Sequence, residues 1–321
     1  MPISQLILTP QEYDEFVRSP FADEAVGGPD GVTSVVVTGR TTTASPGALP
    51  VVVIALAPEH ESSPAHADVV VNEAELATVS ATIAAAPLAA TSIAVLLRSM
   101  PTTDVEAGLA AESAVYSTLQ AGPEFATWRA IAPSSPFVDD SPTVRVERDG
   151  DVLTVCLDRP RRHNAISTRL RDELTAALQL AVLDDSIVAV HLRGVGASFC
   201  SGGDLGEFGS RLDPASAHRT RLARSPARLI HRLRERTIVH LHGAALGGGI
   251  ELAAFAGRIV AHPDTRIGLP EVSLGLIPGA GGTVSLPRRI GRQRTALLAL
   301  TTGTIDAPTA LRWGLIDEIV N

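Results

Sequence analysis

Between Thr143 and Gly194 the hydrophobic period of the chain changes twice, and that change limits what the chain can fold into. The run TVRVERDGDVLTVCLDRP, residues 143–160, holds two stretches of period-2 alternation joined at Asp149-Gly150, a pattern that predicts a β-hairpin. In the next segment Leu170, Leu174, Ala177, Leu178 and Ala181 recur at helical spacing behind Ser167, which predicts a helix with a serine N-cap. SIVAVHLRG, residues 186–194, then reads as a short strand. Strand, helix and strand in that order predict a parallel α/β unit with a right-handed crossover.

The same order recurs more faintly upstream. VVVIALAP (51–58) reads as a strand, NEAELATVSATIAAA (72–86) as a helix and SIAVLLRS (92–99) as a second strand, a degenerate copy of the downstream unit. Residues 79–97 carry no charge, but Pro87 interrupts them among Ala, Thr and Ser, so helix, turn and buried strand is preferred to a membrane span. The segment after this copy, MPTTDVEAGLAAESAVYSTLQAGPEFATWRAIAP, is helical in pattern and lacks a glycine-rich loop. The first half is therefore expected to have the fold without the chemistry. Three prolines in IAPSSPFVDDSPT, residues 131–143, mark a linker and divide the chain into 1–140 and 141–321.

Composition removes several function classes. All 27 basic residues are arginine, and the absence of lysine excludes Schiff-base, pyridoxal-phosphate and P-loop chemistry. A formal charge of −8 argues against a nucleic-acid partner. The two cysteines, Cys156 and Cys200, lie in apolar stretches and read as reduced, buried residues of a cytoplasmic protein. The opening MPISQLILTPQEYDEF has no basic leader, so no signal peptide is expected.

The candidate chemistry lies in two glycine clusters. GVGASFCSGGDLGEF, residues 194–208, begins like a dinucleotide fingerprint but places Phe199 where the third glycine belongs. Its Ser201-Gly202-Gly203-Asp204 either lets backbone N–H groups approach a ligand or forms a tight turn, with Asp204 available to cap a following helix. Gly247-Gly248-Gly249 at a helix start offers unpaired N–H groups and a helix dipole to a developing oxyanion. Glu251 lies in the apolar helix behind them, and taken alone reads as a paired structural carboxylate. Glu271, after Leu269-Pro270, taken alone reads as a first-turn acid.

Taken together, LDRPRRHNAIS, FCSGGDL, HGAALGGGIELA, GLPEVSLGLIPGAGGT, LPRRIG and ALRWGLIDEIV, in that order, resemble the enoyl-CoA hydratase/isomerase (crotonase) superfamily over about residues 143–320. The resemblance implies a ClpP/crotonase spiral of ββα units, preceded here by an α/β domain that looks like a degenerate repeat of it. It implies an oxyanion hole from the N–H groups of Gly203 and Gly248, which polarise an acyl-CoA thioester. It makes Glu251 the residue that activates water and Glu271 the residue that protonates C2. His163, Ala165, Asp204, Leu205 and Gly206 are implied to hold the coenzyme A portion.

No cofactor beyond the coenzyme A of the substrate, no metal and no membrane partner is expected. A homo-oligomer is implied. The arginine-rich run 211–236 could face CoA phosphates, but Leu222, Leu229, Ile230 and Leu233 favour a solvated helix with a core side. His240 and His242 alternate on a strand without a third ligand at metal spacing.

The chain stops at Asn321, where members of the superfamily usually continue into a helical segment that covers the acyl-CoA site. Residues 1–130 are expected to take over that work. Enoyl-CoA hydration is the favoured activity; double-bond isomerisation, other crotonase-type chemistry and a non-catalytic acyl-CoA-binding scaffold are the alternatives.

Overall fold

Valine and isoleucine runs with no polar face build three of the four strands of the first sheet, as burial on both faces requires of parallel strands. The computed structural model describes residues 5–27, 31–39, 44–57, 64–99, 104–132, 139, 141–210 and 213–320. Strands β1 (Gln5–Leu8), β2 (Ser34–Val37), β3 (Val52–Leu56) and β4 (Val69–Val71) lie in that order, all parallel. Helices α1 (Pro10–Arg18) and α2 (Ala22–Gly27) follow β1, and Thr9 with Glu12 closes a capping box on α1. Buried Tyr13 of α1 anchors a small cluster with Val35, Val51 and Val53.

After β4 come four helices, α3 (Glu73–Ala85), α4 (Pro87–Ser99), α5 (Val105–Gln120) and α6 (Pro123–Ile131). The strand expected over 92–99 is the second half of α4, and Pro87, read as a turn, is that helix's first residue. Ala89, Ala90, Ile93, Ala94, Leu96 and Leu97 are its buried positions, a helical period that a short uncharged run cannot display against a strand pattern. The upstream copy of the strand–helix–strand unit thus ends at its helix. Among the described residues no single helix is long and apolar enough to cross a membrane, and α3 and α4 meet at a bend of 110°.

Arg98 at the end of α4 fastens this layer. Its Nε donates to the buried Asp68 at 3.0 Å, Asp68 also accepts Val53 N at 2.9 Å, and Arg292 approaches the same carboxylate at 3.5 Å.

The second half opens with the expected hairpin, β5 (Val144–Asp149) and β6 (Val152–Leu157), in antiparallel register. Helix α7 (Thr168–Leu183), with Ser167 accepting from Leu170 N, leads to β7 (Ala189–Gly194), parallel to β6. Next come α8 (Pro214–Ala223), α9 (Pro226–Arg232), β8 (Thr237–Leu241), β9 (Ala244–Leu246) and α10 (Gly248–Ala253). The chain continues through β10 (Arg258–Ala261), β11 (Arg266–Gly268), α11 (Gly282–Ile290), α12 (Arg292–Thr301), β12 (Thr304–Asp306), α13 (Ala307–Trp313) and β13 (Glu318–Ile319).

The six-stranded sheet runs β13-β10-β8-β7-β6-β5 and the three-stranded sheet β12-β11-β9. Each pass places one strand in the large sheet and the next in the small one, β8 then β9 and β10 then β11, with β10 parallel to β8 and β11 parallel to β9. A bridge from Cys200 to Ala245 extends the pattern back to the pass that holds β7. This is the spiral of ββα units that the resemblance implied.

Ion pairs and apolar packing join the two halves. One hydrophobic cluster runs from Val36 and Ile54, through Ile93, Leu109 and Tyr116, to Leu286, Leu298 and Ile316. Helix α5 packs on α8 and α11, and α12 packs on α3 and β4. A side chain on Gly279 would lie 2.5 Å from the Tyr116 ring, so glycine there allows α5 to close onto the second half. Of the expected linker, residues 133–138 and 140 lie outside the described residues, while Asp139 is held by Arg159 at 2.7 Å. Expression of residues 141–321 alone should bare the faces that α4 and α5 cover and give an aggregating product without a cooperative melt. A soluble, cooperatively melting fragment would show that the contact is dispensable.

Candidate active site

Two glycine turns meet on one wall of a pocket. Ile166 N donates to Gly202 O at 2.7 Å and Asp204 N to Ile166 O at 3.0 Å, a bridge that turns the intervening Gly203 N–H away from the ladder. Gly247 adopts φ 47°, donates its own N–H to Gly268 O at 2.9 Å, and starts α10 at Gly248. A β-carbon at Gly247 would stand 2.2 Å from Glu271 Oε1, so sterics and backbone both require glycine there. Gly203 and Gly248 line the same pocket, and among the described residues neither N–H meets a protein acceptor. Two unspent donors, one of them at a helix start, favour negative charge on a ligand oxygen.

Three buried carboxylates face this wall. Glu251, from the first turn of α10, accepts Ala280 N at 2.7 Å and Gly282 N at 2.8 Å through Oε2. Glu112, from α5, accepts Gly281 N at 2.7 Å through Oε1, and Thr283 N at 2.8 Å and Thr283 Oγ1 at 2.7 Å through Oε2. The N–H groups that open α11 are therefore shared alternately between two acids. Glu271 begins a 3₁₀ turn directly after Leu269-Pro270, and its Oε2 is buried without a partner among the described residues.

These environments separate the three acids. Burial pushes Glu251 up to about 7, against the N–H donors of Ala280, Gly282 and Gly279. Burial, then the Glu251 charge, pushes Glu112 up to about 8, against its three donors. Glu271 stands well above the ordinary value, first through burial and then through Glu251. Glu251, whose Oε2 accepts two amides, is better placed to carry charge than Glu271, whose Oε2 has no partner among the described residues. Acids driven apart in this way are suited to act as base and acid.

A carboxyl whose folded pKa is raised above its ordinary 4.5 favours the folded state at low pH, and that contribution is lost as pH rises from about 4.5 to the folded value. The melting temperature should fall between pH about 4.5 and about 8. Glu271→Gln, which removes a buried acid without adding a charge, should raise the melting temperature more at pH 8 than at pH 5. Equal shifts at both values would contradict the assignment of a raised Glu271.

Gly248→Ala probes the other wall. Its methyl would lie 2.8 Å from Ile166 Cδ1 and 3.5 Å from Ala280 Cβ, at residues that line the pocket. Turnover per KM should drop about 10- to 100-fold through displacement of the ligand, with little change in melting temperature. An unimpaired variant would remove Gly248 from the ligand wall.

The residues expected to hold coenzyme A form one polar corner. His163 is left-handed at φ 49°, its carbonyl accepts Ser201 N at 2.9 Å, and its Nδ1 lies 3.0 Å from Ser198 Oγ. Ala165 is buried and its carbonyl accepts Arg159 Nη1 at 3.0 Å. Asp204 faces Arg159 at 2.6 Å and Arg162 at 3.2 Å and accepts Gly206 N at 3.0 Å. These partners spend the Asp204 side chain on a turn, so it caps no helix; the next helix is α8. Leu205 is exposed beside it.

Of the arginine run, residues 211 and 212 lie outside the described residues, and the rest holds two helices, α8 and α9, broken at Arg224-Ser225 because Ser225 caps the second helix and Pro226 begins it, followed by a 3₁₀ turn at Arg234–Arg236. Ile230 and Leu233 supply its buried side. His240 Nε2 lies 2.9 Å from His191 Nδ1, and His242 Nε2 lies 2.9 Å from Gly196 O. Cys156 and Cys200 are both free thiols, the second fully buried.

Sequence reasoning missed Glu112, Tyr116 and Arg221, which line the pocket from α5 and α8. The available signal was Glu112 itself, a lone acid in the small and apolar run GLAAESAVY.

A family model described as enoyl-CoA hydratase/isomerase matches residues 147–321. A probable enoyl-CoA hydratase of Mycobacterium tuberculosis is 35% identical over 178 residues, 56% of this chain and 68% of that protein. An enoyl-CoA isomerase/hydratase of Mycosarcoma maydis is 38% identical over 177 residues, 52% of this chain and 65% of that one. The crystal structure of enoyl-CoA hydratase from Thermoplasma volcanium aligns with TM-score 0.51 and 36% identity, covering 56% of this chain and 72% of that one.

Proposed function

Because the chain belongs to the enoyl-CoA hydratase/isomerase family, we propose that it adds water across the 2,3 double bond of an enoyl-CoA thioester. The observation that carries this reading is the pairing of two pocket acids of unequal pKa with two unspent N–H donors. Gly203 and Gly248 N–H groups receive the thioester oxygen. Ionised Glu251 takes a proton from water as the water oxygen bonds to C3, and the double-bond electrons move to C2 and the thioester as an enolate. Glu271 then gives its proton to C2. The product has gained one water, and a proton passing from Glu251 to Glu271 through solvent restores the enzyme.

Coenzyme A enters as part of the substrate, against the corner at His163, Ala165, Asp204, Leu205 and Gly206. Double-bond migration is the second reading, favoured by the relative whose name carries both activities. It would need a single carboxylate to shuttle the proton, whereas both acids are present here.

Crotonyl-CoA hydration, followed by loss of absorbance at the conjugated thioester, tests the proposal. Glu251→Gln and Glu271→Gln should each lower turnover by about 10² or more while the fold persists. Near-complete hydration by either variant would refute the assignment. Loss of hydration with retained double-bond migration would favour the isomerase reading. The dependence of kcat/KM on pH should rise through about 7 as Glu251 ionises and fall at higher pH as Glu271 loses its proton.

A further inference from the structure

Four arginines stand on the pocket wall, and one of them differs from the rest. Arg171 pairs with Asp172 at 2.8 Å, Arg228 pairs with Glu106 at 2.8 Å, and Arg224 is exposed. Arg221 is half-buried, and among the described residues no carboxylate pairs with it. Its Nε donates to Ser113 Oγ at 3.0 Å and its Nη2 to Ser113 O at 3.3 Å and to Ser117 Oγ. Its guanidinium carbon lies 4.7 Å above the centre of the Tyr116 ring.

Every one of these partners is neutral. Glu112, the carboxylate nearest in sequence on α5, is spent on Gly281 and Thr283. A guanidinium cannot shed its charge in a protein, so one drawn from water, fixed on one edge and stacked on one face, is prepared to receive an anion on its remaining edge.

The placement of Arg221 indicates which anion. Tyr116 abuts Gly279, and the next residue, Ala280, donates to Glu251. Arg221 therefore lies one aromatic ring beyond the turn that holds Glu251, on the wall of the same pocket. We propose that Arg221 selects 2-enoyl-CoA substrates whose acyl chain ends in a carboxylate. This rests on the acyl-CoA reading above and narrows its substrate class. The helix α5, outside the segment that the family model matches, then completes the acyl end of the site by holding Arg221 through Ser113, Ser117 and Tyr116.

Two 2-enoyl-CoA esters of equal chain length, one ending in a methyl group and one in a carboxylate, test the proposal with wild-type protein and Arg221→Met. The wild type should favour the carboxylated ester in kcat/KM by about tenfold or more. Arg221→Met should reduce that ratio by about 10- to 100-fold, the usual worth of a charge-assisted hydrogen bond. No preference in the wild type overturns the proposal. So does an equal loss on both esters, which would place Arg221 on the CoA phosphates or make it a clip between helices.

If Arg221→Met does not fold, Arg221→Lys, which keeps the charge but loses the fork, should give an intermediate ratio; an unchanged ratio counts against the proposal. Calorimetric binding of the two saturated analogues separates this claim from the hydratase reading. Tighter binding of the carboxylated analogue without turnover of either ester would support the anion site and refute hydration. Turnover of both esters without preference would do the reverse.

Discussion

The structure turns on the N-terminus of α11, where Glu251 and Glu112 divide four successive backbone N–H groups between them. A helix start offers unpaired donors and a positive dipole end, enough to hold a carboxylate away from water. Here two acids share it, one from each half of the chain. That sharing fixes the 280–283 turn against α10, brings α5 onto the second half, and keeps Glu251 ionisable in a pocket that otherwise disfavours charge. The glycine-rich sequence GLIPGAGGT follows from the same constraint, because β-carbons on this turn would strike Tyr116, Phe255 and Glu251.

Three acids in one buried pocket cannot all ionise near neutrality, and their surroundings separate them. Glu251 has two amides on one oxygen to carry its charge, Glu112 has three donors but faces the Glu251 charge, and Glu271 has an oxygen without a partner among the described residues. In the proposed reaction this difference suits Glu251 to the part of base and Glu271 to that of acid. It also works against stability at neutral and alkaline pH, since each raised carboxyl favours the folded state only while protonated. If the proposed reaction holds, catalytic competence and maximal stability are set against each other in the same residues.

The local parts of this arrangement were legible in the sequence. The Asp149-Gly150 hairpin, the α7 face behind Ser167, the strand at 189–194 and the glycine start of α10 depend on neighbours within a few positions. Glu251 and Glu271 stood out once the ordered motifs were taken together. What escaped was long-range. Glu112 meets Gly281 across 169 positions, and its role is invisible until α5 docks. Arg221 read as part of a solvated face because nothing nearby in sequence announces Tyr116 or Ser113. The 92–99 run failed for a different reason: its short apolar core, Ile93–Leu97, satisfies strand and helix patterns equally, and packing of α4 decided it.

The central claim is that Glu251 and Glu271 move protons between one water and one enolate whose oxygen lies on Gly203 and Gly248. The most direct measurement is isotopic: incubation with crotonyl-CoA in deuterated water enriched in oxygen-18, with the product examined by mass spectrometry and NMR. The account predicts one oxygen-18 at C3 and one deuteron at C2, placed on a single face, in every product molecule. Deuterium exchange into the substrate without oxygen incorporation, or deuterium on both faces of C2, would contradict it.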